Sequence, residues 1–280
     1  ARRLAAVDPD NHHLFASLGC AVTNIVEAAP SLGLQATVTF DPLLPGAQVG
    51  LEPAATARSD LFTAIPRRQS TRADFDGRSV APADLRLLEA AGGSASTRLL
   101  LLDAVPARDA VRDFVIAGNS AQMADAAFMA ELKGWIRFAY GEALETRDGL
   151  FSKCSGSPAI PGWLGRALFT RILTPEGENR KYARQIDSSA GIVVFSADRN
   201  DPAGWFDAGR CCQRFSLQAT ALGLRTAFIN QPVEVPAVRG QLAAYLGLGA
   251  GRPDLVMRFG YGPSLPQSLR RPVRDVLVGA

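Results

Sequence analysis

The chain has only two histidines in 280 residues, His12 and His13, adjacent and near the N-terminus. That shortage excludes a multi-histidine metal centre and leaves a Ser-His-Asp hydrolase only these two rings as its base. Neither a metal site nor a side-chain catalytic acid or base is expected. The four cysteines, Cys20, Cys154, Cys211 and Cys212, show no C-x-x-C spacing, and the neighbours Cys211 and Cys212 are poorly placed to bond each other. They read as small core residues or free thiols. No run approaches the roughly eighteen apolar residues of a membrane span, so no membrane partner is expected. The net charge is only +3, and the basic residues are scattered rather than gathered beside stacking aromatics, which argues against nucleic acid. Gly247-Leu248-Gly249-Ala250-Gly251 lacks the spacing of a dinucleotide-binding fingerprint. Arg2-Arg3 leads into Leu4-Ala5-Ala6-Val7-Asp8 with neither the apolar core nor the cleavage signal of a targeting peptide. A cytoplasmic location is expected, with the periplasm as alternative if a leader was removed, because the first residue is not Met.

What is present is an ordinary globular composition, 47% hydrophobic and 20% charged, at a length that suits one α+β domain with an appendage. One stretch stands apart: Ile65-Pro66-Arg67-Arg68-Gln69-Ser70-Thr71-Arg72, followed by Ala73-Asp74-Phe75-Asp76. It sets Arg67, Arg68 and Arg72 beside the hydroxyls of Ser70 and Thr71, and a guanidinium fork matches the oxygens of a phosphate. The plainer reading is a solvated basic helix end, where cations complement the dipole. A second basic group, Ser268-Leu269-Arg270-Arg271-Pro272, lies in the tail. The two groups are expected to converge on one phosphate-sized site.

Around these groups the pattern predicts alternating helices and strands. Asp8 to Asn11 offers a cap for an amphipathic helix from His12 to Leu32, with Phe15, Leu18, Val22, Ile25 and Val26 on its apolar face. Gln35 to Phe40 reads as a strand broken at Asp41-Pro42. Leu43 to Arg58, rich in Pro, Gly and Ala with Pro45-Gly46 as a turn signal, reads as a linker. Ser59 or Asp60 caps a short helix into the arginine loop. Further helices are expected over Val80–Ala91 and from Pro106, with a break at Gly118. Met123, Leu132, Trp135 and Ile136 face a core after that break. Arg98–Asp103 reads as a buried strand. Residues 141–184 look irregular, with Trp163, Leu164, Leu168 and Phe169 too apolar to be left in water, and are a lid candidate. Gly191–Ser196, Arg225–Ile229 and Asp254–Phe259 read as core strands. Asp201-Pro202 opens a helix whose apolar face runs to Leu222.

The Arg68-x-Ser70-x-Arg72 segment, with Phe75-Asp76 and the helix after it, resembles the opening of nitroreductase-family flavoproteins. Ala219 to Leu224, the turn Asn230-Gln231, Arg258-Phe259-Gly260-Tyr261-Gly262, and Arg270 with Pro272 are similar to later parts of that family in the same order. The wording Asn230 to Glu234 and the N-terminal Ser17-Leu18-Gly19-Cys20-Ala21 resemble its divergent Acg-like branch. The resemblance implies a mixed central sheet flanked by helices. It also implies FMN held by Arg67, Arg68, Gln69, Ser70, Arg72, Asn230, Gln231, Arg270 and Arg271, and hydride passing from NAD(P)H to a nitroaromatic, quinone or similar small acceptor. A protein that stores FMN with little turnover is the alternative. Two places depart from the family pattern. Gly92 to Ser96 has none of the flavin-contacting Asn-x-Gln-Pro-Trp, and 141–184 has no counterpart in compact members. The expected organisation is an N-terminal partial unit with linker, 1–58, and a flavin-binding domain, 59–280. The N-terminal unit is expected to stand in for part of a second subunit, giving a monomer with an intrachain pseudo-dimer, or else a homodimer forms.

Overall fold

In the computed structural model, which describes residues 3–41 and 46–277, the first helix, α1 (His12–Ala28), is capped from a distance. Both Asp8 carboxylate oxygens accept helix-start amides, from His13 at 2.9 Å and Leu14 at 3.0 Å. Asn11, at the cap position itself, is left-handed (φ 60°) and gives no side-chain bond. The helix tightens into a 3₁₀ turn at Ala29–Leu32. Its buried residues are His12, Ala16, Gly19, Val22 and Thr23; of the face expected, Val22 is buried, Phe15, Leu18 and Val26 are half-buried, and Ile25 is exposed. Small residues win because this face presses onto another backbone. By length and composition alone, His12–Leu32 could also cross a membrane, which corrects the expectation that no such run exists.

β1 (Leu34–Asp41) pairs antiparallel with β2 (Gly46–Pro53), Val38 opposite Val49. Gly46–Pro53 is therefore a strand and not linker; its poor local propensity is offset by the partner beside it. Pro42 and Pro45, the expected break and turn signal, lie outside the described residues. Phe40 of the ribbon stacks on Phe206, with ring centroids 4.6 Å apart.

The main body begins at α2 (Asp60–Ala64), capped by Ser59 Oγ accepting from the Phe62 amide. Beyond the arginine loop come α3 (Pro82–Gly92), β3 (Thr97–Leu102) and α4 (Val105–Ala124). α4 runs straight through Gly118. A Cβ there would overlap the backbone of Gln231, so this glycine serves close packing and does not break the helix. The break falls at Asp125, which caps α5 (Ala126–Trp135). After β4 (Ile136–Arg137), the segment expected to be irregular is mostly helical: α6 (Tyr140–Thr146), α7 (Gly162–Ile172) and α8 (Pro175–Asp187), with the short β5 (Leu150–Phe151) pairing with β4. Phe169 is buried, yet Trp163 is 74% exposed, contrary to expectation.

β6 (Gly191–Ala197), α9 (Pro202–Ala221), β7 (Arg225–Phe228), α10 (Gln231–Glu234), α11 (Pro236–Tyr245) and β8 (Leu255–Gly260) complete the body. The central sheet runs β3-β6-β8-β7 with antiparallel neighbours. A single parallel bridge, Ser70 to Thr226, attaches the arginine loop to its β7 edge. Two cores explain the unbroken apolar runs of β6 and β8. Val193, Phe195, Met257 and Phe259 meet Phe215 of α9 on one face; Ile192, Val194 and Val256 meet Val111, Val115 and Ile186 on the other. β3 is an edge strand, and its four leucines are only half-buried, not buried as expected. α1 crosses α9 on the side away from the sheet. A Cβ at Gly19 would overlap the Phe206 carbonyl and one at Gly209 the Ala16 carbonyl, so the two backbones touch there. The architecture is α+β.

Candidate functional site: an arginine-lined cleft

The arginine loop begins as a 3₁₀ turn at Ile65–Arg67 and becomes extended at Arg68, and Arg258 holds it. This side chain is wholly buried on β8. One terminal nitrogen donates to the Thr71 and Ala73 carbonyls at 3.1 and 2.8 Å, the other to the Gln185 carbonyl at 3.1 Å, and the guanidinium lies over the Phe75 ring. Burial pushes its pKa down to about 10, offset in part by Asp74, so it stays charged in the neutral range. The Thr71 amide donates to Thr226 O, and the Gln185 amide donates to the Arg72 carbonyl. Gln69 ties the loop to the tail: its amide nitrogen donates to Leu265 O at 2.7 Å and its oxygen accepts from the Leu265 amide at 2.9 Å. Gln267 returns a bond to the Pro66 carbonyl.

These ties frame a cleft of 420 Å³ whose wall carries Arg68, Ser70, Arg72 and Arg270, with Asn24 from α1 and Cys154 from the insert. Its lining includes no carboxylate. Ser70 Oγ is buried without a hydrogen-bond partner, which for a polar group is costly unless a ligand supplies one. Arg72 occupies the junction. It also lines an adjoining cavity of 540 Å³, with Asn119, Trp135, Tyr182, Gln231 and Glu234, and a third of 230 Å³ beneath the insert, with Phe138, Phe169 and Lys181. Burial depresses the Arg72 pKa, and no side-chain hydrogen bond or ion pair holds its guanidinium among the described residues. A desolvated, unpaired guanidinium between a cationic cleft and a partly apolar cavity suits a ligand with a phosphate at one end and a flat, electron-rich ring at the other.

The structure thus brings Arg68, Gln69, Ser70, Arg72 and Arg270 to one cleft. Gln231 lies in the adjoining cavity, its side-chain oxygen buried and unpartnered. Three of the expected site residues lie elsewhere. Arg67 is exposed and bonds back to Thr63 O. Arg271 is exposed beyond the cleft lining. Asn230 spends its oxygen on the Val256 amide and holds the turn rather than facing a cavity. The stripe expected to face a core lines cavities: Met123 and Trp135 face the large one, and Leu132 and Ile136 the one under the insert.

The Nitroreductase family profile matches residues 65–261. The chain belongs to the nitroreductase family. The family match starts inside the loop and stops short of Arg270, so this nitroreductase-family chain draws Asn24 and Arg270 of its cleft from outside the matched span. A Mycobacterium tuberculosis (strain H37Rv) protein named "Putative NAD(P)H nitroreductase Rv3131" is 27% identical over 289 aligned residues, covering 98% of this chain and 80% of that protein. Among solved structures, a nitroreductase with bound FMN from Desulfitobacterium hafniense superposes with TM-score 0.49 at 14% identity, over 80% of this chain and 100% of that one. The NADPH:FMN oxidoreductase from Vibrio harveyi complexed with NAD+ gives TM-score 0.47 at 14% identity, over 79% and 76%. Several residues of the site went unassigned in the sequence, Arg258, Asn24 and Tyr182 among them. Arg258 could have been found as the one charge in the run Leu255 to Phe259. Asn24 and Tyr182 carry no local signal, since only the packing of α1 and α8 brings them to the cleft and cavity.

Proposed function

We propose that this chain is an FMN-dependent oxidoreductase that takes hydride from NAD(P)H and passes it to a nitroaromatic, quinone or similar small acceptor. The observation that carries the reading is the meeting of Arg68, Ser70, Arg72 and Arg270, distant in sequence, in one carboxylate-free cleft that opens past Arg72 into the large cavity. The fit to FMN is chemical. Arg68 and Arg270 supply the charge a phosphate needs, the orphan Ser70 hydroxyl supplies a donor beside it, and Arg72 supplies a cation for the pyrimidine edge of the ring. Gln231, whose side chain also bonds Tyr182, offers an unpartnered side-chain oxygen in the large cavity. When bound, the flavin supplies the hydride chemistry; the protein supplies position and field. Arg72 favours negative charge on the ring, and α5 and the insert supply the apolar side chains Phe128, Leu132, Trp135 and Leu150 at the other end. The relatives' names, an NAD(P)H nitroreductase and an FMN-bound nitroreductase, agree with this reading.

The absorption spectrum of the purified protein tests it first, and NAD(P)H oxidation with a quinone acceptor tests it second. A yellow protein that turns over is expected. Flavin bound without turnover would leave a flavin-storing protein, and no flavin at all would overturn the reading. Arg68→Ala is expected to weaken FMN by about 1.5–3 kcal/mol, tenfold to a hundredfold or somewhat more in Kd, as read by fluorescence titration.

A further inference from the structure

Glu234 joins the large cavity to solvent. Its carboxylate lines both that cavity and an outer cleft of 270 Å³ shared with Asp8, Asp10, His13, Arg239 and Arg252. One oxygen lies 3.4 Å from His13 Nε2, and the other accepts from the Gln122 side-chain amide on the cavity side. His13 and Glu234 side chains are 17% and 18% exposed, so the pair spans the wall instead of sitting wholly inside or outside. Their charged neighbours are already engaged. On the outer side, Asp10 pairs with Arg252 at 2.7 Å, His12, whose ring is edge-on to His13, with Asp254 at 2.9 Å, and Arg239 donates to Val233 O. Asp8 caps α1. On the cavity side, Glu131 accepts the Ala6 and Val7 amides, Glu178 pairs with Lys181, and Arg72 faces the cofactor cleft. Of the charged groups around them, His13 and Glu234 pair with each other, with Gln122 donating to Glu234 and the Tyr182 hydroxyl facing its charge from the cavity.

Resting on the flavin reading above, we propose that His13 and Glu234 form a proton relay from the outer cleft into the large cavity, with Glu234 as the donor to the reduced acceptor. Hydride brings an acceptor A two electrons and one hydrogen nucleus, giving AH⁻, which lacks one proton. The Glu234 O–H bond breaks as the new O–H or N–H bond of AH₂ forms, leaving the carboxylate. The imidazolium of His13 then returns a proton from Nε2 to Glu234, and water in the outer cleft recharges His13. The sum is NAD(P)H + H⁺ + A → NAD(P)⁺ + AH₂. A carboxyl that bridges solvent and a reaction cavity is suited to general acid work.

The test uses the full-length flavin-loaded protein. Reoxidation of the reduced protein by a quinone is followed by stopped flow against pH for the wild type, Glu234→Gln and His13→Gln, which keep the hydrogen-bonding shape but cannot pass a proton. In Glu234→Gln the acceptor step is expected to slow about a hundredfold, and its pH dependence to flatten in both variants. A readout independent of activity comes from NMR of the flavin-free chain, whose two histidines give few ring signals. Glu234→Gln is expected to move the His13 signals far more than those of His12. Wild-type rates and pH profile in Glu234→Gln would overturn the relay, as would unmoved His13 signals. A wild-type chain that holds no flavin, or does not oxidise NAD(P)H, overturns the relay together with the reading beneath it, and that failure is recognisable because it appears without any substitution.

Discussion

Arg258 sets the geometry on which the arginine loop depends, although it faces no cavity. Replacing it with Met keeps the volume but strips a buried donor from the Thr71, Ala73 and Gln185 carbonyls. At about 1–3 kcal/mol for each buried group left unsatisfied, Arg258→Met is expected to destabilise the fold by roughly 3 kcal/mol or more, read by urea unfolding. Cofactor affinity should fall with it. Tyr182 makes a pH prediction. Burial, with the Glu178 charge added, pushes its hydroxyl from 10.0 up to about 12. Between those values the unfolded chain has lost a proton that the folded chain keeps, so stability falls as pH rises through this window. Tyr182→Phe should remove that part of the alkaline loss, seen as a difference between variant and wild-type denaturation curves taken at several alkaline pH values. The motif residues Arg68, Ser70 and Arg72 were legible because their chemistry is unusual at that spacing. Arg67, Asn230 and Arg271 do not line the cleft, because adjacency in sequence does not say which way a side chain points.

At the scale of elements, reading by pattern succeeded where the period was strong and failed where packing against a distant backbone decides. The apolar alternation in β6 and the Asp201-Pro202 start of α9 are local signals, and both appear in the structure. β2 is not local: its Gly, Ala and Pro content describes a linker until β1 lies beside it. Gly118 reads as a helix breaker for the same reason, since the clash that a side chain would make is with Gln231. The α1–α9 crossing follows this rule too. Gly209→Val places a branched side chain against the Ala16 backbone, which cannot yield as a flexible side chain can. Its cost is expected to reach or exceed the upper end of the roughly 1–3 kcal/mol typical of overpacking. Thermal unfolding measures the loss, and faster proteolytic release of the segment ending near residue 58 would show that the helix pair has opened.

For the whole molecule, α1 packs on the side of α9 that carries Phe206, Gly209 and Arg210, while Phe215 and Ala219 of the same helix meet the sheet, and α1 carries Asn24 to the arginine-lined cleft. We infer that the N-terminal unit substitutes for a second subunit, so that one chain completes one site. Light scattering combined with flavin quantification is expected to give the mass of a single chain with one flavin. A dimer in which flavin is lost on dilution to monomers would contradict this. Such an arrangement was legible only as an unpaired apolar helix in search of a surface. Which surface it finds depends on the small-residue stripe, and hydrophobicity scales give Gly and Ala little weight.

Gln69 clasps Leu265 from 196 positions away. During synthesis the arginine loop leaves the ribosome well before the segment that latches it and before Arg270, which completes the cationic cleft. A nascent chain therefore carries an open cradle over the 196 positions that separate Gln69 from Leu265. Under the flavin reading, cofactor capture becomes a checkpoint that follows the synthesis of Leu265 and Arg270, because a chain that stops short of them lacks both the latch and the last cation of the cleft.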